Sequence, residues 1–357
     1  MIQVQLKLRP TKAQARTFER WLWHLTSVWN WAIKKIEADA RNGHYRSVYS
    51  MKTLVRGHSQ RMGVPSYAMG GTIATAHTTW ERCFRGVSRR PRLKGRRRPL
   101  SSIAFDHWDS SPRGRRIHVH GIGPMRFHPH PQEIPAGHIG AARIVHRASG
   151  WYLCLFIKAD PRPIEVIANG EVGIDPGFSS LLTLSTGEKI EHPHEWKRGE
   201  RRLAQSQRGH RTKLAARLQE RIRNRRKNRN HHISRMLVAE NRLIAFSADQ
   251  HRGIARTFGK SVMSAGHYEL RRQLAYKSLT GGRRYVEVPP RNSTRTCSVC
   301  GALTGPTGWR GLQVRSWDCG ACGAHHDRDV NAAVNTLRTG LGMSLKGGRE
   351  AASGIAS

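Results

Sequence analysis

Two short cysteine pairs, Cys297-Ser-Val-Cys300 and Cys319-Gly-Ala-Cys322, with 18 residues between them, constrain this chain more than any other feature. Two intervening residues let both sulfurs of a pair reach one ion, and two such pairs complete a tetrahedron. Gly301 and Gly323 follow the pairs directly, where each tight turn needs a positive φ. Four thiolates leave no open coordination position. The pattern therefore predicts one structural Zn²⁺ held by Cys297, Cys300, Cys319 and Cys322. Cys83 and Cys154 stand alone and are expected to be buried packing residues.

The balance of charge names the kind of partner. The chain carries 62 Lys+Arg against 24 Asp+Glu, a net charge of +38. That excess implies a polyanion, since each neutralised phosphate releases condensed counterions. Two clusters stand out. Arg89, Arg90, Arg92, Lys94, Arg96, Arg97 and Arg98 lie in a stretch that Pro91 and Gly95 keep from being a regular helix. Arg221, Arg223, Arg225, Arg226, Lys227 and Arg229 lie in a long helical pattern whose like charges repel unless a phosphate backbone relieves them. Both are expected to bind nucleic-acid backbone; the plainer alternative is a solvated charged face. No apolar stretch approaches the roughly 20 residues that span a bilayer. Met1–Pro10 alternates polar and apolar residues and lacks the apolar core of a signal peptide. A cytoplasmic location follows as the expectation, and reduced thiols there favour metal ligation over disulfides.

Periodicity predicts a strand at 2–8 and a helix at about 12–40, with Phe18, Leu22, Leu25, Trp29 and Ile33 on one face. Trp21, Trp23, Trp29 and Trp31 crowd that helix as core residues, with base stacking as the alternative for one or two. A second helix is predicted at about 65–86, strands and turns over 100–160, and a linker at Pro161–Pro163. Strands follow at 171–191, then one long basic helix at about 196–238, a strand at 242–247, a helix at about 260–277 and a strand at 284–288. The Gly-, Ser- and Ala-rich tail from Gly340 onward is expected to be disordered.

An aspartate inside an apolar strand is costly unless paired or metal-bound, and Asp175 in "VGIDPG" is such a residue. A second acidic group, His326-Asp327-Arg328-Asp329-Val330-Asn331, opens a helix just past the second cysteine pair. With these motifs in view, the chain resembles the TnpB family of transposon-encoded RNA-guided nucleases. "GIDPG" is similar to the family's first RuvC-like motif, and "STRTCSVCG…SWDCGACGAHHDRDVNAAVNTL" to its zinc ribbon and third motif. "RIRNRRKNRNHHISRMLV" resembles its basic bridging helix. "FGKSVMSAGHYELRRQLAYKS" resembles the segment before the ribbon, and "KLRPTKAQ…FERWLWHLTSVWNWAI" the start of its recognition lobe.

The resemblance implies an α/β multidomain fold. A β-barrel wedge domain would take residues 1–10 and 99–164, and a helical recognition domain 11–98. An RNase H-like RuvC core would take 165–292 and 324–340, with the ribbon inserted at 293–323 and a disordered tail at 341–357. It also implies a guide RNA, target double-stranded DNA beside a short adjacent motif, two catalytic Mg²⁺ ions, and one protein chain per RNA. Asp175 and Asp329 would be metal ligands, with Asp327 a neighbour and Asn331 orienting the helix start. The sequence departs at the second motif, where the family's glutamate falls on Ser247. Glu287 is expected to supply the third carboxylate, with Asp249 and Glu269 as alternatives. The remaining alternative is a nuclease-inactive, RNA-guided DNA-binding repressor.

Overall fold

Thr11 ends the first strand and starts the first helix: its hydroxyl accepts from the Gln14 amide while the Gln14 side chain accepts from the Thr11 amide, a reciprocal cap. The computed structural model describes all residues except 131–132, 161–162, 178, 193–194, 249–264, 308–310, 312 and 344–357. Residues 258–264 of the segment FGKSVMSAGHYELRRQLAYKS, and nearly all of the predicted tail, thus lie outside the described residues. The chain forms two units, Met1–Pro161 and Arg162–Ser357. Among the described residues no helix is long and apolar enough to cross a membrane.

The first unit is an antiparallel sheet with helices on it. The strands are β1 (Ile2–Arg9), β2 (Ser102–Phe105), β3 (Arg116–Val119), β4 (Gly123–Phe127), β5 (His138–Arg147) and β6 (Gly150–Lys158), in the order β2-β5-β6-β1-β4-β3. The opening strand is therefore central, pairing with β6 and β4. Among the described residues its edge strands β2 and β3 do not pair with each other. The helices are α1 (Lys12–Arg41), α2 (Val48–Leu54), α3 (His58–Met62) and α4 (Ser66–Phe84). Phe18, Trp21, Leu25, Trp29 and Ile33 of α1 are buried against Val4, Leu6 and Leu8 and against α4. The apolar stripe read from the sequence is thus the inner face of α1, whereas Trp23 is exposed. A Cβ on Gly71 would lie 2.2 Å from the Ala104 carbonyl oxygen, so only glycine lets α4 approach β2 this closely. The short α2 and α3 are not legible in the sequence because neither is long enough to show a repeat.

The second unit contains a mixed five-stranded sheet, β11-β10-β7-β8-β9. Its strands are β7 (Gly170–Pro176), β8 (Ser180–Leu184), β9 (Lys189–Glu191), β10 (Asn241–Ser247) and β11 (Arg284–Val288). β7, β10 and β11 run parallel, and β8 and β9 antiparallel to their neighbours. The single long basic helix predicted at 196–238 is two helices, α5 (Glu195–Arg208) and α6 (Thr212–Glu240). Gly209, His210 and Arg211 separate them, His210 at φ 51°, a left-handed conformation that no helix continues.

Residue parity assigns the two faces of this sheet. On one face, Val172, Ile174, Ile244 and Phe246 pack with Leu237 of α6 and with Leu270 and Leu274 of α7 (His267–Thr280). The opposite face carries α8 (Arg328–Gly340). A Cβ on Gly173 would stand 2.1 Å from the Ala333 carbonyl oxygen, and one on Gly340 2.4 Å from the Ala245 Cβ. Both glycines are therefore required for α8 to lie flat on β7 and β10.

Candidate metal centres and nucleic-acid surfaces

The thiolate cluster forms as the spacing predicted. The four sulfurs lie within 4.8 Å of one another, with Cys297 3.7 Å from Cys322 and Cys300 3.6 Å from Cys319. Each turn closes identically: the Gly301 amide donates to the Cys297 carbonyl and the Gly323 amide to the Cys319 carbonyl. Gly301 has φ 78° and Gly323 φ 72°, as the sequence required. The hydroxyl of Thr304, 3.2 Å from the Cys319 sulfur, helps hold that thiol down to about 6, toward the thiolate a metal needs. This donor set fits one Zn²⁺.

His326 joins the cluster without having been expected there. Its Nε2 lies 3.0 Å from the Cys297 sulfur, and its buried ring packs on Trp317 with centroids 4.6 Å apart. The two side chains are opposite each other across the hairpin of β12 (Ser316–Asp318) and β13 (His325–Asp327). The missed signal was alternation: His326 follows Trp317 into one face of a two-stranded ribbon too short to read from sequence.

The ribbon is tied to α8 by two asparagines one turn apart. Asn331 accepts from the Ser298 amide at 2.8 Å, and its amide group donates to the Thr296 carbonyl at 2.8 Å. Asn335 donates to the Ser293 and Thr296 carbonyls at 2.8 and 2.7 Å. Asp327 caps the helix, its Oδ1 accepting from the amides of Asp329 and Val330, while Lys189 donates to Oδ2 at 2.6 Å. Burial pushes the Asp327 carboxyl up, but Lys189 and the two amides outweigh it and leave it below the usual range. Asp329 lies in the first turn, 3.7 Å from the Arg315 guanidinium.

The helix crosses the strands from β9, where Lys189 meets Asp327, over Gly173 of β7, to Ala245 of β10. Asp175 is two residues past Gly173 on the same strand and hence on the same face as α8. Asp175 and Asp329 therefore share a face of the sheet.

Glu287 does not join them, and this corrects the sequence-based expectation. It pairs in register with Phe246, whose side chain is buried on the α6/α7 face. Neighbours in a parallel register point the same way, so Glu287 faces away from both aspartates. Its carboxylate is held by Arg271 of α7, with Nε 3.1 Å from Oε1 and a second bond from Nη2, and by the Tyr285 hydroxyl at 3.1 Å. The Arg271 hydrogen bond keeps the Glu287 carboxyl below its ordinary value. Glu269, the third alternative, pairs with Arg272 and Gln273 on α7. Asp249 lies outside the described residues. Among the described residues, the four cysteines are the one group of three or more potential ligands close enough to share an ion.

The two basic clusters differ in how they are held. Residues 89–98 are largely exposed but pinned from beneath. Asn30 of α1 donates to the Lys94 carbonyl and accepts from the Lys94 amide, both at 2.8 Å, and Trp29 Nε1 donates to the Arg92 carbonyl at 3.2 Å. Arg90 also pairs with Glu37. In the α6 cluster Arg221, Arg223, Arg225 and Lys227 are exposed. Arg229 instead donates to the Ala265 carbonyl at 2.7 Å, fastening α6 to the residues just before α7.

These features define a class: a strongly basic α/β chain whose zinc ribbon is clamped to a helix bearing an aspartate, with a second aspartate on the strand face beneath. The Cas12f1-like TNB domain family matches residues 267–336. A protein of Streptomyces pristinaespiralis named as an RNA-guided DNA endonuclease is 31% identical over 305 residues, 80% of this chain and 74% of that protein. InsQ of Escherichia coli strain K12, named likewise, is 25% identical across 77% of this chain and 75% of its own. Among solved structures, a Cas12f1 in complex with guide RNA and target DNA shares the fold, with a TM-score of 0.59 at 13% identity, covering 92% of this chain and 83% of that one. The chain belongs to the TnpB-like family of RNA-guided DNA endonucleases.

Proposed function

We propose that this chain uses a guide RNA to select DNA and cuts it at the face shared by Asp175 and Asp329. The observation that carries this is that Asp175, on the sheet face covered by α8, and Asp329, in the first turn of α8 itself, lie on one side of the sheet, with α8 braced to the zinc ribbon. Family membership supplies the reaction: hydrolysis of a DNA phosphodiester, with specificity delegated to guide pairing. The second unit's sheet then serves as the RuvC-like core, and the first unit as the wedge and recognition domains. The pinned strap at 89–98 and the exposed arginines of α6 hold phosphate backbone, one chain per guide RNA.

RuvC-type hydrolysis draws on hard divalent cations such as Mg²⁺, which take oxygen ligands. Asp175 and Asp329 are the ligands this chain offers. Among the described residues no third carboxylate lies close enough to Asp175 and Asp329 to share one ion with both: Asp327 is engaged by Lys189 and by the amides at the helix start, and Glu287 faces the other way. That shortfall favours a second reading, in which the chain binds guided DNA without cutting it. One experiment separates the two. The protein is purified with co-expressed flanking RNA and incubated with a plasmid library carrying a randomised motif, with Mg²⁺ or with EDTA. Cleavage that needs Mg²⁺ and the guide supports the nuclease; guided binding without cleavage supports the repressor.

A further inference from the structure

The serine that replaces the family's glutamate is placed where a metal site would need it. Ser247 ends β10, and Phe246 before it is in register with Ile174 of β7. The same register carried one residue further sets Ser247 beside Asp175, on a strand about 4.8 Å away. Ser247 also pairs with Val288, whose side chain belongs to the cluster under α8, so its own side chain points to the α8 face. A single row therefore crosses that face: Val288, Ser247, Asp175, Thr183 and Lys189 on successive strands.

Ser247 is 1% exposed, and among the described residues its hydroxyl has no hydrogen-bond partner. A buried hydroxyl without a partner is destabilising, a penalty that a bound cation or its water would remove. A small residue chosen only to fill space there would carry no such penalty, as alanine does at Ala245 on the same strand face. Serine hydroxyls are competent Mg²⁺ ligands, as in the phosphate-binding loop of nucleotide hydrolases, though neutral and weaker than carboxylates.

We propose that Ser247 is a member of the divalent-cation site with Asp175 and Asp329. It offers a neutral oxygen to the cation or to its bound water, and it leaves the site with one negative charge fewer than a carboxylate at this position would give. This rests on the reading of Asp175 and Asp329 as metal ligands. The consequence is a site that binds divalent cations weakly, and that a carboxylate at position 247 would tighten.

The test is Mn²⁺ binding, read by electron paramagnetic resonance of the free ion during titration of the full, zinc-loaded chain without RNA. Ser247→Asp is expected to tighten Mn²⁺ binding tenfold or more, and Ser247→Ala to weaken it severalfold. Adding Asp175→Ala to Ser247→Asp is expected to remove the gain. Should Ser247→Asp fold poorly in EDTA, its melting temperature is followed as Mn²⁺ is added, and a rise well beyond that of the parent chain is the expected result. Unchanged Mn²⁺ affinity in a folded Ser247→Asp variant, with Asp175→Ala still weakening binding in the parent chain, overturns the role of Ser247 alone. If Asp175→Ala and Asp329→Ala also leave Mn²⁺ affinity unchanged, the metal-site reading beneath it falls too.

Discussion

The zinc ribbon and the carboxylate face are neighbours joined by α8, yet they are built on opposite principles. The ribbon draws four ligands from 26 consecutive residues and closes them with two local turns. The carboxylate face draws Asp175 and Asp329 from elements far apart in sequence, and it holds together only because β7, β10 and α8 pack in one register. The first can be read from spacing. The second depends on strand parity, where a shift of one residue sends a side chain to the other side of the sheet.

The largest expected effect breaks the carboxylate face and spares the ribbon. Asp175→Ala or Asp329→Ala is expected to lower cleavage by orders of magnitude. Guided DNA binding should persist, since affinity comes from pairing and phosphate contacts. Cleavage assays paired with gel-shift measurements check this, and zinc content should remain one per chain.

Breaking the ribbon should propagate the other way. Cys297→Ser or Cys319→Ser is expected to abolish zinc binding, seen by elemental analysis, because thiolate ligation supplies much of such a module's folding free energy. Cleavage should fall with it, since Ser293, Thr296 and Ser298 of the ribbon anchor α8 through Asn331 and Asn335. Active, zinc-free protein would refute that coupling.

The asparagine joint isolates the coupling itself. Asn331→Ala leaves the half-buried Ser298 amide without this partner and takes one of two side-chain donors from the Thr296 carbonyl, at a cost of about 0.5–1.5 kcal/mol. Zinc should stay bound, while the melting temperature drops and cleavage slows more than binding weakens. An unchanged cleavage rate would show that the ribbon does not position Asp329.

Glu287→Gln should have the smallest effect. Cleavage is expected to stay near normal, because Glu287 faces Arg271 across the sheet from the aspartates. Its partly exposed pair with Arg271 contributes about 0–1 kcal/mol after solvent screening. The Glu287 carboxyl is depressed on folding, so this contribution is present above its ordinary value near 4.5 and fades as pH falls below it. Melting temperatures of the two proteins should therefore differ slightly at pH 7 and converge in acid. A loss of cleavage by orders of magnitude in Glu287→Gln would mean the strand register is wrong.

What the sequence revealed follows the same division. The knuckles, the long α1 stripe, and Asp175 as a charge misplaced in an apolar strand were all legible, because each is fixed by chemistry within a few residues. The face of Glu287 was not legible. The alternation of Val286, Glu287 and Val288 says that the glutamate opposes its neighbours, but not which side of the sheet that is. Phe246 and Arg271 decide it, and both lie on other elements. His326 and the split between α5 and α6 were hidden for a different reason. A three-residue strand and a single left-handed residue leave no periodic trace.

If the strap at 89–98 holds nucleic-acid backbone, as proposed, the way it is pinned has a consequence. Asn30 grips the Lys94 backbone by its N–H and its C=O at once, much as one nucleobase grips another. A free polybasic tail hugs whatever polyanion it encounters and must be stilled each time it does so. Charges on a strap fastened to a helix at Arg92 and Lys94 start from a narrower range of positions instead. They act less like adhesive than like the teeth of a gauge, rewarding backbones whose phosphates come at matching intervals and gaining little from those that do not.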